Sequence, residues 1–130
     1  MITGAEAARV LEGNLASLTA LARDVDDDQA RWKPAADRWS IVEVVCHLAD
    51  EEREDFGRRL SLTLSDPSRE WPSIAPGEWV TERGYNQRHL RDALESFREA
   101  RQQSVRWLPG VAADQLAQAH HHGDREMTAA

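Results

Sequence analysis

Long apolar runs are missing from this chain. No stretch approaches the roughly 18 consecutive apolar residues that a bilayer-spanning helix needs. The opening Met1-Ile2-Thr3-Gly4-Ala5-Glu6 lacks the basic and apolar segments of a signal peptide, so none is expected. Cysteine is nearly missing as well. Cys46 stands alone, which excludes an intramolecular disulfide and makes a reducing cytoplasm the expected location. An excess of positive charge is also lacking: 16 Lys and Arg against 23 Asp and Glu leave a net charge of −7. That balance argues against a nucleic-acid binder held by phosphate contacts and against an anionic membrane surface as partner. There is no glycine-rich phosphate loop, no CxxC pair, no Ser-His-Asp arrangement, no internal repeat and no low-complexity segment.

What remains is a helical composition. The chain is 41% hydrophobic and 30% charged, rich in Ala, Leu, Arg and Glu and poor in β-branched residues, a mix that favours helix over sheet. Its 130 residues suit one domain, 1–130, with a modest core. Thr3 is a candidate N-cap for a first helix from about Gly4 to Asp24, with Leu11, Leu15, Leu18, Ala22 and Val25 on one face. Asp24, Asp26, Asp27 and Asp28 oppose the dipole at its C-terminus and should end it. A loop containing Pro34 leads to Trp39.

A second helix is predicted from Ser40 to Leu64, with Ile41, Val44, Val45, Leu48, Phe56 and Leu60 facing the core, and Asp66-Pro67-Ser68 stops it. Residues 65–85 hold Pro67, Pro72, Pro76, Gly77 and Gly84 and read as a long ordered loop that buries Trp71, Ile74 and Trp79. The third helix starts after Asn86 as N-cap and runs to about Leu108, with Leu90, Leu94, Phe97, Arg101, Val105 and Leu108 on its stripe. Pro109-Gly110 terminates it, and a short helical turn is expected over 112–117.

The chemistry concentrates in Arg38-Trp39-Ser40-Ile41-Val42-Glu43-Val44-Val45-Cys46-His47-Leu48-Ala49-Asp50-Glu51-Glu52. Ser40 and Glu43 form a capping box, and His47 and Glu51, four apart, project from one helix face. A histidine with a carboxylate on one face makes a candidate metal or acid/base pair, or a partly buried histidine with a hydrogen-bond partner. Two donors are fewer than the three or four of a tight zinc site, though they suit a weakly held, mostly hydrated cation. His120, His121 and His122 read first as a solvated loop, from which one or two could reach toward His47; His120 and His122 are weak metal candidates. His89 reads as a surface or rim residue. Cys46 lies beside acids that raise a thiol pKa, so packing is its expected role. The acidic residues from Asp50 to Asp55 read mostly as a solvated face opposite Arg53, Arg58 and Arg59. Glu51 is the member expected inside, and Glu52, on the apolar stripe, needs a partner such as Arg101. The five tryptophans are expected to plug the ends of the bundle, with Trp71 or Trp79 a lesser candidate for a pocket near His47.

These residues carry a family resemblance. Trp32 with Pro34, then Arg38-Trp39-Ser40-Ile41, then His47-Leu48 and Glu51-Glu52 resemble the DinB/YfiT-like superfamily, from the first helix to about Gly123. The resemblance implies an all-α, up-down-down-up four-helix bundle. It implies a divalent metal held by a second-helix histidine, which His47 matches, and by a His-x-x-x-His pair on the last long helix, which this sequence lacks. It further implies a metal-dependent hydrolase or thiol S-transferase acting on a small-molecule substrate, with zinc, nickel or manganese as cofactor. The expected bundle therefore has three long helices, the fourth missing or supplied by another copy, and the chain reads as a truncated or diverged form in which truncation is favoured. Three apolar stripes without a fourth helix predict a homo-oligomer, a dimer in the simplest case. The alternative reading is a non-catalytic helical interaction domain that self-associates.

Overall fold

A computed structural model describes residues 2–117 in full and the backbone alone of Ala119–His122 and Arg125–Thr128. Helix α1 (Gly4–Leu21) opens as predicted: the Thr3 hydroxyl accepts the Glu6 N–H at 3.2 Å, and Glu6 accepts the Thr3 N–H at 2.8 Å. It stops at Leu21, earlier than Asp24. The aspartates that end it also start α2 (Asp27–Arg31), an element the sequence reading treated as loop. Acids oppose a helix C-terminus but favour an N-terminus, and Asp26 caps α2 by accepting the Gln29 N–H at 2.8 Å.

The second long helix is continuous over the predicted range but not uniform. It comprises α3 (Ile41–Asp50), a π-helical turn (Glu51–Phe56) and α4 (Gly57–Ser65). The predicted long loop contains α5 (Pro76–Glu82), with Pro76 in the first turn where its missing N–H costs nothing, and a 3-10 turn (Tyr85–Gln87). Gly84 links them at φ 59°, a left-handed conformation that a side chain would strain.

The third long helix is α6 (Leu90–Trp107). Its N-cap position is His89, not Asn86, and the capping oxygen comes from another element: Asp27 of α2 accepts the Leu90 N–H at 2.9 Å. Asn86 instead accepts the Ser40 hydroxyl at 2.6 Å and donates to the Arg31 carbonyl at 3.3 Å. After a 3-10 turn (Leu108–Gly110) and α7 (Ala113–Leu116), the backbone forms an antiparallel hairpin of β1 (Ala119–His122) and β2 (Arg125–Thr128), with His120 opposite Met127 and His122 opposite Arg125. The histidine run, expected in a loop, is thus a strand.

Both α1 and α3 lean on α6 rather than on each other. The interface is filled by Leu90, Ala93 and Phe97 from α6 and by Val42, Val45, Cys46 and Ala49 from α3, with Trp79, Val80 and Tyr85 closing over them. The face assigned to α3 by sequence needs correction. Val45 is buried, but Ile41 and Val44 are 43% and 40% exposed and Phe56 is 61% exposed. Two apolar rows at helical spacing share Val45, and α6 meets the row containing Val42 and Ala49. Among the described residues, no helix is long and apolar enough to cross a membrane.

Candidate metal centre

A local capping box and two connections from neighbouring segments hold the start of α3. Ser40 and Glu43 complete the capping box at 3.3 and 2.8 Å, Asn86 accepts the Ser40 hydroxyl, and Lys33 pairs with the buried Glu43 at 3.0 Å. This fixes the helix that presents His47 two turns on. The His47 Nε2 lies 3.9 Å from Glu51 Oε1, outside hydrogen-bonding distance, while Nδ1 is buried with no hydrogen-bond partner among the described residues. Burial lowers the pKa of His47, opposed by the Asp50 charge, and so favours the neutral imidazole that a metal ligand requires. The Trp39 ring meets the imidazole edge-to-face, with centroids 4.8 Å apart.

Below His47 the polar column continues at four-residue steps. Asp55 lies close enough to Glu51 to act on its charge and forms an ion pair with Arg59, whose guanidinium lies 5.0 Å above the Trp71 ring. The Trp71 indole in turn donates to the Thr63 hydroxyl at 3.2 Å. Burial, and then the neighbouring Asp55 carboxylate, push the Glu51 carboxyl up to about 7, against the pull of Arg59. The π turn makes this arrangement. Its wider helical step bonds the Gly57 N–H to the Glu52 carbonyl and turns Glu51, Glu52 and Asp55 inward together, leaving them 7%, 6% and 5% exposed. The acidic run is therefore not a mostly solvated face. Glu51 lies inside as expected and Glu52 pairs with Arg101 at 3.0 Å as expected, but Asp55 is buried too.

A second polar cluster escaped the sequence reading. Asp50 accepts the hydroxyl of fully buried Tyr85 at 2.5 Å and an Arg83 Nη1–H at 2.6 Å, and Arg83 also grips Glu54 at 2.6 and 3.1 Å while covering Trp79 at 4.2 Å. Desolvation first, then Asp50, raises the Tyr85 pKa, and Glu54 first raises that of Arg83. No local spacing announces contacts between Asp50 and residues 33 and 35 positions further on. Cys46 is buried and its thiol is pushed up to about 11 by desolvation, as suits a packing role. His89 sits on the surface, bonded to Asp27 at 2.6 Å. Trp71 and Trp79 are buried, whereas Trp32, Trp39 and Trp107 remain partly exposed. The ring that meets His47 is thus Trp39, not one from the segment 65–85.

The structure brings together His47 and Glu51 of the sequence-derived candidates. The side chains of His120 and His122 lie outside the described residues. Among the described residues, no group of three or more His, Cys, Asp or Glu converges as a metal site would require. At bonds of about 2.0–2.2 Å a tetrahedral cation sets its donors about 3.4 Å apart, so His47 and Glu51, at 3.9 Å, are two donors that a small side-chain rotation would bring into one coordination sphere.

Comparison with known proteins agrees with this architecture. No curated protein matches the chain. Among solved structures, the fold is similar to that of YfiT from Bacillus subtilis, described as a probable metal-dependent hydrolase with an unusual four-helix bundle topology. The TM-score is 0.81 at 20% sequence identity, over 94% of this chain and 70% of that one. The family model of the DinB superfamily matches residues 11–130, and the chain belongs to that superfamily.

Proposed function

We propose that this protein is a metal-dependent hydrolase or thiol S-transferase of the DinB superfamily, with His47 as a metal ligand. The observation that carries the reading is the His47 imidazole, with one ring nitrogen buried and unpartnered among the described residues and the other 3.9 Å from Glu51. A bound divalent ion would supply Lewis acidity and lower the pKa of a coordinated water or thiol. The chain's own groups hold and orient: His47 offers the nitrogen, and Glu51 offers a second oxygen or orients the ring. The description of YfiT supports the hydrolase side. A small-molecule substrate and a cytoplasmic location complete the proposal, the latter suited to a single buried thiol.

Metal content by mass spectrometry on tag-free protein, beside His47→Ala, tests it. Near-stoichiometric zinc, nickel or manganese in the wild type, lost in the variant, is the expected result. Equal metal in both, or none in either with folding intact, would overturn it. Turnover of ester and amide substrates with and without an added low-molecular-weight thiol separates the hydrolase from the transferase.

The second reading is a non-catalytic domain that self-associates, favoured by Trp39, Ile41 and Val44, which leave a row of apolar residues 39%, 43% and 40% exposed at the start of α3. Homodimer formation is expected on either reading. Light scattering at micromolar concentration should give twice the chain mass, and a clean monomer would sink the proposed dimer.

A further inference from the structure

A histidine that binds a metal through one nitrogen almost always donates its other N–H to a carboxylate, a carbonyl or water, and that bond fixes the ring. Among the described residues His47 makes no such bond: Nδ1 has no hydrogen-bond partner and Nε2 is too far from Glu51 for one. Its orientation must be set by packing. The aromatic ring in contact is Trp39, edge-to-face at a centroid distance of 4.8 Å and an interplanar angle of 60°. Trp39 is itself held in place. It immediately precedes the N-cap Ser40, whose backbone N–H is bonded to Glu43 and whose hydroxyl is bonded to Asn86. In the N′ position it lies where the first residue of a hydrophobic staple stands, with Val44 at N4. Trp39 is nevertheless 39% exposed, so it contributes less to the core than its size would allow.

We propose that Trp39 is the positioning residue of the metal site, holding the His47 imidazole by edge-to-face contact in place of the usual hydrogen bond. The proposal rests on the reading of His47 as a ligand and adds what orients it.

Titration with Co²⁺, followed by calorimetry and by intrinsic fluorescence, tests the assignment on wild type, Trp39→Leu, Trp39→Phe and His47→Ala. An open-shell ion at His47 sits next to the Trp39 indole and quenches it. Trp39→Leu keeps apolar bulk but removes the ring and should weaken Co²⁺ binding about tenfold, in the range seen when groups that orient a ligand are lost. Trp39→Phe should restore most of the affinity. Both variants should lose most of the metal-dependent quenching. Wild-type affinity in Trp39→Leu, with affinity lost in His47→Ala, would overturn the role of Trp39 and leave the ligand reading standing. Equal weakening in Trp39→Leu and Trp39→Phe would also overturn it, because ring contact would not be the cause. Unchanged binding in His47→Ala would remove the ligand reading itself. Thermal melts of the metal-free variants separate these outcomes from unfolding.

Discussion

Asp27 caps α6, a role that sequence spacing gives to Asn86. Its place in the acidic run marks it as a helix stop, yet it reaches through space to the first N–H of α6. Its two oxygens accept the Leu90 N–H and bond with His89, and those bonds hold its carboxyl below the usual aspartate range against a small opposing effect of burial. The folded state thus favours the ionised form. The contribution is fully present above the unfolded pKa of about 3.9 and is lost as pH falls through the lower folded value. Thermal melts of wild type and Asp27→Ala should therefore differ clearly at pH 7 and converge toward pH 3. A gap that persists unchanged at pH 3 would show that the charge plays no part.

At the scale of the element, the second long helix turns on Gly57. A Cβ added there would lie 2.7 Å from the Glu52 carbonyl oxygen, closer than real Cβ contacts allow. Propensity alone says that glycine-to-alanine within a helix gains about 1 kcal/mol. The geometry predicts the opposite sign: Gly57→Ala should lower the melting temperature, because the π turn must relax toward an ordinary helix and rotate Glu51 and Asp55 away from their present partners. A higher melting temperature with unchanged metal binding would show that the turn tolerates the side chain. Sequence periodicity placed this helix within a residue or two at both ends, because capping and stop signals are local. It missed the π turn because i→i+5 bonding has no composition signature, and the burial of Asp55 was lost with it.

At the scale of the molecule, Glu52 and Arg101 tie the long helices together. Their buried ion pair spans the π turn and α6, and Arg101 also donates to the Leu11 carbonyl of α1 at 3.3 Å while lying 4.9 Å from the Phe97 ring. Breaking such a pair strands a buried charge, so Arg101→Leu should cost about 3–5 kcal/mol in denaturant unfolding. Glu52→Leu combined with Arg101→Leu should recover most of it, since the desolvation cost leaves with the charges. A double variant no more stable than Arg101→Leu would mean that the bond to Leu11 and the packing on Phe97 dominate. Phe97→Ala, at 3% exposure, should cost about 3–5 kcal/mol through the cavity left between α3 and α6.

The sequence by itself determined the helical class, the three long helices, the N-cap at Thr3, the capping box at Ser40, and the placement of His47 and Glu51 on one face. All of these follow from hydrogen bonds and side-chain periods within a few residues. It also paired Glu52 with Arg101, because a carboxylate on an apolar stripe demands a cation on the facing one. Tertiary structure alone decided which of two apolar rows on α3 faces α6, that Asp27 caps α6, that Asp50 holds Tyr85 and Arg83, and that Trp39 meets His47. The first depends on where another helix approaches, and the next two join residues far apart in the chain. The last depends on a side-chain direction at the helix entry. Contacts of that kind are set by packing of whole elements, which leaves no period in the chain to read.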